Sequence, residues 1–183
     1  MSINNKIEQI EKDPLGDDEI KKYLPTVPIL KYSNLSKYNT IEELLPENKT
    51  YCILLYEQSP NIGHWVAVLR YNDQYEYFDS YGGKIDDPLN WVDLGIRKEL
   101  DQFIPYLTNL LEGKKVVVNK VKYQAENPHI ATCGRWCIFR ILTNKNGNLN
   151  LSQFHTFFKE IKKDLLPDKS NDKIISIIIS LSD

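Results

Sequence analysis

Cys133 stands at the head of a run in which Trp136, Ile138, Phe139, Ile141 and Leu142 are apolar. That spacing predicts a largely buried helix starting at or near the cysteine, after a polar turn that holds Glu126, Asn127, Pro128 and Thr132. A thiol in the first turn of a helix faces unpaired backbone N–H groups and the positive end of the dipole, which lowers its pKa. Cys133 is then a candidate nucleophile, and Gly134 leaves room for a substrate to approach the backbone. The same stretch also fits a buried core cysteine beside a packed helix, and by itself it does not choose between the two.

A thiol nucleophile needs a base within hydrogen-bonding reach, and there are three histidines. His155 lies among Phe154, Phe157 and Phe158 and reads as structural or surface-exposed. His129 is in the loop before Cys133 and could approach the thiol. His64 is the preferred base. It follows the flexible Pro60-Asn61-Ile62-Gly63 segment and stands at the mouth of a strand beginning at Trp65. Asp79 closes the next strand, so the two residues lie about symmetrically on either side of the turn near Asn72-Asp73. A carboxylate there would hold the second ring nitrogen and stabilise the imidazolium. Without the histidine, Asp79 is a turn carboxylate ahead of Ser80-Tyr81-Gly82, while Asp86, Asp87 and Asp93 read as caps or solvated groups. Acyl transfer also needs donors for the developing oxyanion. The Cys133 N–H supplies one, and the side-chain amide of Gln124 could supply another, although a lone glutamine equally fits an ordinary loop residue.

Positioning these groups requires a sheet and a helix. Thr50 to Tyr56, Trp65 to Tyr71 and Gln74 to Phe78 read as strands, the last two as an antiparallel hairpin, and Val116 to Tyr123 as a fourth strand that delivers Gln124. Short helices are predicted near Asn4–Lys12, after Asp17 or Asp18, and after Thr40 with Glu43 completing a capping pattern. Val27 to Tyr32 reads as extended. A long helix near Trp91 to Leu111 with Pro105 as a kink, a turn at Asn144 to Asn148 and a helix at Gln153 to Leu165 follow. Ile174 to Leu181 is rich in β-branched side chains and reads as a strand. The expected fold class is α+β, a small and mostly antiparallel central sheet flanked by helices, with residues 1–183 as one domain.

Composition removes several function classes. A net charge of -2 argues against a nucleic-acid surface as the main function, and three cysteines do not make a disulfide framework. No apolar run has the length of a membrane span, and the first 20 residues are too charged for a signal peptide. Cys133 and Cys137 share a helix face, so a disulfide between them is conceivable, but with His129 they would still lack a fourth zinc ligand.

The ordered set His64-Trp65, Tyr77-Phe78-Asp79-Ser80-Tyr81-Gly82, Gln124 and Thr132-Cys133-Gly134-Arg135-Trp136-Cys137 resembles the signature of the adenovirus-type and Ulp1-type (adenain-like) cysteine proteases. That superfamily includes maturation proteases of large DNA viruses and virophages, and peptidases that release ubiquitin-like modifiers. The resemblance implies a papain-like-related fold, with Cys133 as nucleophile, His64 as general base, Asp79 as orienting acid and Gln124 in the oxyanion hole. Trp65 and Gly134 would wall the substrate cleft. The interval from Gln124 to Cys133 is longer than the family pattern, with Asn127-Pro128-His129 as an insertion, so Gln102 is kept as another candidate donor. Cleavage after small residues, at Gly-Gly or Gly-X-Gly type sequences in viral capsid or core precursor proteins, is the implied activity. Deconjugation of a ubiquitin-like modifier and a non-catalytic protein-binding module on the same fold are the alternatives. No cofactor is implied, with DNA or a peptide left open as activator. A monomer in the virion and in the host cytoplasm or viral factory, neither secreted nor membrane-bound, completes the expectation.

Overall fold

The computed structural model describes residues 3–180. Its centre is a five-stranded sheet in the order β1 (Ile29–Lys31), β2 (Thr50–Ser59), β3 (Ile62–Tyr71), β4 (Gln74–Phe78) and β5 (Val116–Val118). The long ladders, β2 with β3 and β3 with β4, are antiparallel, whereas the short edge strands β1 and β5 run parallel to their neighbours. The helices are α1 (Ile3–Lys12), α2 (Asp17–Tyr23), α3 (Ile41–Leu44), α4 (Leu94–Glu99), α5 (Tyr106–Leu110), α6 (Cys133–Gly147), α7 (Leu151–Leu165) and α8 (Asn171–Ser180). The fold is α+β, as expected.

Side-chain alternation along the strands divides the core between two faces. Ile53, Leu55, Trp65, Ala67 and Leu69 pack with α2, α6, α7 and α8. Cys52, Leu54, Val66, Val68 and Tyr77 pack with the 3₁₀ turn Tyr32–Lys37, α3 and α5. Helix α6 is the element buried most continuously, from Cys133 to Ile141. It is tied to the sheet by Arg140, whose Nε and Nη2 each donate to the Glu76 carboxylate at 2.7 Å, both side chains being fully buried. The β3–β4 turn uses Asn72 and Asp73 at positive φ (50° and 55°), the conformation that matches strand twist in a two-residue hairpin.

Several expectations are corrected. Ile174 to Ser180 is helix, part of α8, and not strand (residue 181 lies outside the described residues). Ile174, Ile175 and Ile179 are buried in the core shared with α6, and this burial outweighs the β preference of branched side chains. The stretch from Trp91 to Leu111 is not one helix. The 3₁₀ turn Asp87–Trp91 is followed by α4, which Asp93 caps through the Gly95 N–H, and Asp101 at φ 54° lies beyond its end. β5 ends at Val118, because the Asn119 side chain turns inward to bond the backbone of Asp79 and Val121. The chain stays helical through Gly147 and ends on a left-handed Asn148. Thr40 makes no side-chain cap bond, and Glu43 instead accepts from the Asn39 N–H at 2.8 Å.

Candidate active site

His64 lies at the start of β3, paired with Tyr56 of β2, and Asp79 directly follows β4. The β3–β4 ladder pairs Ala67 with Phe78 and Tyr71 with Gln74, so its centre lies between Asn72 and Asp73. Extending that register places Asp79 opposite Val66, and the contact with His64 is therefore diagonal. It is nonetheless short: Nε2 of His64 is 2.7 Å from Oδ1 of Asp79, with 4% and 0% exposure. Oδ1 also accepts from the Tyr81 N–H at 2.9 Å, and the Asp79 carbonyl accepts from the Gly82 N–H. Gly63 makes room at the entry to β3, because a Cβ there would lie 1.9 Å from the Tyr56 carbonyl oxygen.

With Nε2 on the carboxylate, Nδ1 is the ring nitrogen left to face Cys133, which lines the same cleft. Burial alone would lower the His64 pKa, but the bonds and charges of Asp79 and Cys133 outweigh it and raise it from 6.5 to about 9. Burial alone would raise the Cys133 thiol. The His64 hydrogen bond and charge, with backbone N–H bonds from Trp65 and Gly134, bring it below its ordinary value. The two directions favour the same charged partners, an imidazolium beside a thiolate. Cys137, one helical turn on, has burial as its main influence and is pushed well up, and all three cysteines are unpaired.

Gln124 is 2% exposed. Its Oε1 accepts from Ser80 Oγ at 2.9 Å, while Nε2 donates to Tyr81 Oη and the Ile130 carbonyl, each at the long distance of 3.2 Å. The Ser80 carbonyl accepts from the N–H groups of Tyr123 and Gln124, so the loop after β4 fixes both Asp79 and the glutamine. His64, Trp65, Gln124 and Cys133 line one cleft of about 510 Å³, with Pro14, Tyr81 and Trp91 among its other walls. The Trp65 indole donates to the Leu15 carbonyl at 2.9 Å. Gly134 is packed beneath this wall, since a Cβ there would meet Leu15 and Trp65 carbons at 3.3 Å.

The other candidates lie elsewhere. Gln102 is spent on β2, its side chain bonding both the N–H and the carbonyl of Glu57. His129 is exposed, and His155 is bonded to Tyr123 Oη. Two aromatic residues without an assigned role in the sequence reading prove central. Tyr81 stacks on His64 at 4.9 Å between ring centroids, and Trp91 meets it edge-on at 5.2 Å. Tyr81 sits within the Asp79 motif, but nothing local signals Trp91, which arrives by the path of the chain after β4. Among the described residues no group of His, Cys, Asp and Glu side chains is gathered to hold a metal ion, and no helix is long and apolar enough to cross a membrane.

No family model matches the chain. It is 34% identical over 160 residues to the uncharacterized protein V9 of Sputnik virophage, a match that spans 85% of this chain and 89% of the relative. Among solved structures, the Chlamydia trachomatis effector Cdu1 bound to ubiquitin has a TM-score of 0.41 at 16% identity, covering 98% of this chain and 77% of that one. ChlaDub1 from Chlamydia trachomatis has a TM-score of 0.38 at 16% identity, covering 99% and 76%.

Proposed function

The chain belongs to the family of the Sputnik virophage protein V9, and from the arrangement around Cys133 we propose that it is a cysteine endopeptidase cutting viral capsid or core precursor proteins after small residues. The observation that carries this reading is the buried His64, held by Asp79 at 2.7 Å on one nitrogen and sharing one cleft with Cys133, whose pKa the imidazole lowers. The small-residue preference rests on the motif resemblance, and the viral setting on the virophage relative.

In the chemical step the Cys133 thiolate attacks the scissile carbonyl carbon, and the electron pair moves onto its oxygen. The Cys133 N–H and the Gln124 amide bind that oxyanion, the latter giving up one of its long bonds. His64 then delivers its Nδ1 proton to the leaving nitrogen as the C–N bond breaks and a thioester forms. Water attacks the thioester, His64 takes its proton, and the thiolate departs. Asp79 holds the Nε2–H throughout and thereby keeps the tautomer. No cofactor enters these steps.

The test is cleavage of peptides bearing Gly-Gly, Gly-X-Gly or Ala before the scissile bond, by wild type and Cys133→Ala, with and without DNA. Wild-type cleavage that disappears in a folded variant is expected. Cleavage that survives in Cys133→Ala refutes the nucleophile. A second reading, deconjugation of a folded ubiquitin-like modifier, is favoured by the exposure of Trp91 (46%), Leu94 (54%), Ile96 (40%) and Phe103 (43%) in the segment that adjoins the cleft at Trp91. It requires an intact modifier to be cut far more efficiently than its own C-terminal peptide.

A further inference from the structure

The loop between Gln124 and Cys133 carries the two oxyanion donors at its ends, so their separation depends on how that loop is closed. Closure comes from a residue remote in sequence. Asp172, in the first turn of α8 and 2% exposed, accepts from the Ala125 N–H at 3.0 Å and from Thr132 Oγ1 at 2.5 Å. Ala125 adjoins Gln124 and Thr132 adjoins Cys133, so the two oxygens of one buried carboxylate bridge both ends. Thr132 is the N-cap residue of α6, yet its hydroxyl makes no cap bond. Committed to Asp172, it leaves the first N–H groups of the helix free to face the sulfur and the oxyanion. Near the cysteine end of the loop, Ala131 donates to the Glu11 carbonyl of α1 at 2.7 Å, and the long 3.2 Å bond from Gln124 Nε2 to the Ile130 carbonyl is the one the oxyanion would compete for.

Resting on the protease reading above, we propose that Asp172 is a positioning residue that holds the Gln124 amide and the Cys133 N–H convergent on a single oxyanion. A first-turn carboxylate also favours α8 through the helix dipole, so the readout has to separate positioning from stability. Asp172→Asn places a donor where one acceptor stood, Thr132→Val removes the hydroxyl at nearly constant volume, and Thr132→Ser keeps it. Each is compared with wild type in kcat and KM for the best peptide, in thermal midpoint, and in the rate of Cys133 alkylation by iodoacetamide. Alkylation displaces iodide at a saturated carbon and forms no oxyanion, so it reports the thiolate alone.

Asp172→Asn and Thr132→Val are expected to lose about 10- to 100-fold in kcat, with KM and alkylation within about twofold of wild type. Thr132→Ser retains kcat. Should Asp172→Asn fail to fold, the Thr132 pair decides. Unchanged kcat in the folded variants overturns the proposal, and so does a parallel fall in kcat and alkylation. A wild-type protein that cleaves neither the peptides nor an intact ubiquitin-like modifier overturns the protease reading itself, whereas wild-type turnover with indifferent variants overturns the clamp only.

Discussion

Replacing Asp79 with asparagine removes a negative charge at nearly constant shape. The bonds to His64 Nε2 (2.7 Å) and from the Tyr81 N–H (2.9 Å) both end on Oδ1, which an asparagine oxygen can replace. The new amide nitrogen falls where Oδ2 stands, a buried atom with no hydrogen-bond partner among the described residues. What disappears is the charge assistance at a fully buried site, the excess of a hydrogen bond to a charged group (about 1.5–3 kcal/mol) over a neutral one (about 0.5–1.5 kcal/mol), or about 1–1.5 kcal/mol. At about 1.4 kcal/mol per pH unit, the His64 pKa falls from about 9 by about 1 unit. On the proposed mechanism the imidazolium protonates the leaving amine, so the alkaline limb of kcat/KM moves down by the same amount. Because the asparagine oxygen still holds the Nε2–H, the tautomer survives and kcat drops by about 10- to 100-fold, short of the loss seen when a triad tautomer is wrong. Stability follows the same sign. His64 has a raised pKa, so its contribution is complete below pH 6.5, is lost as pH rises through about 9, and is lost earlier in the variant. The assay is kcat/KM across pH, with iodoacetamide alkylation of Cys133 measured in parallel. An alkaline limb that stays in place in a folded Asp79→Asn protein refutes the argument that Asp79 sustains the imidazolium.

In the folded protein iodoacetamide should label Cys133 and spare Cys52 and Cys137, whose thiols burial pushes up; peptide mapping that finds Cys137 labelled first would contradict the assigned environments. Gly63→Ala forces a Cβ into the Tyr56 carbonyl beside His64, so activity should fall along with about 1–3 kcal/mol of stability, and a wild-type melting midpoint with full turnover would show that the strand entry can relax. Glu76→Gln leaves Arg140 uncompensated between α6 and the sheet, at a cost of about 3–5 kcal/mol in denaturant unfolding; an unchanged midpoint would mean the pair contributes nothing there.

The α6 start at Cys133 and the β3–β4 hairpin were legible because each is written in short-range pattern, an apolar run after a polar turn and a two-residue turn between alternating strands. The same local pattern placed His64 and Asp79 at one end of a ladder, although the register that joins them diagonally depends on the turn's conformation. Gln124 was legible as a residue type ahead of the cysteine, but its bonds to Ser80, Tyr81 and Ile130 were not. The α8 isoleucines misled because branched side chains favour strands in isolation, while burial in the core shared with α6 rewards a helix. The region after β4 misled because apolar residues at helical spacing do not reveal where Asp93 caps a helix or where Asp101 turns left-handed. By itself, then, the sequence determined which groups could do the chemistry and the local elements that carry them. Only the tertiary structure decided that Tyr81 and Trp91 enclose His64 and that Asp172 closes the loop before Cys133, because these contacts join residues whose separation along the chain leaves no periodic signal.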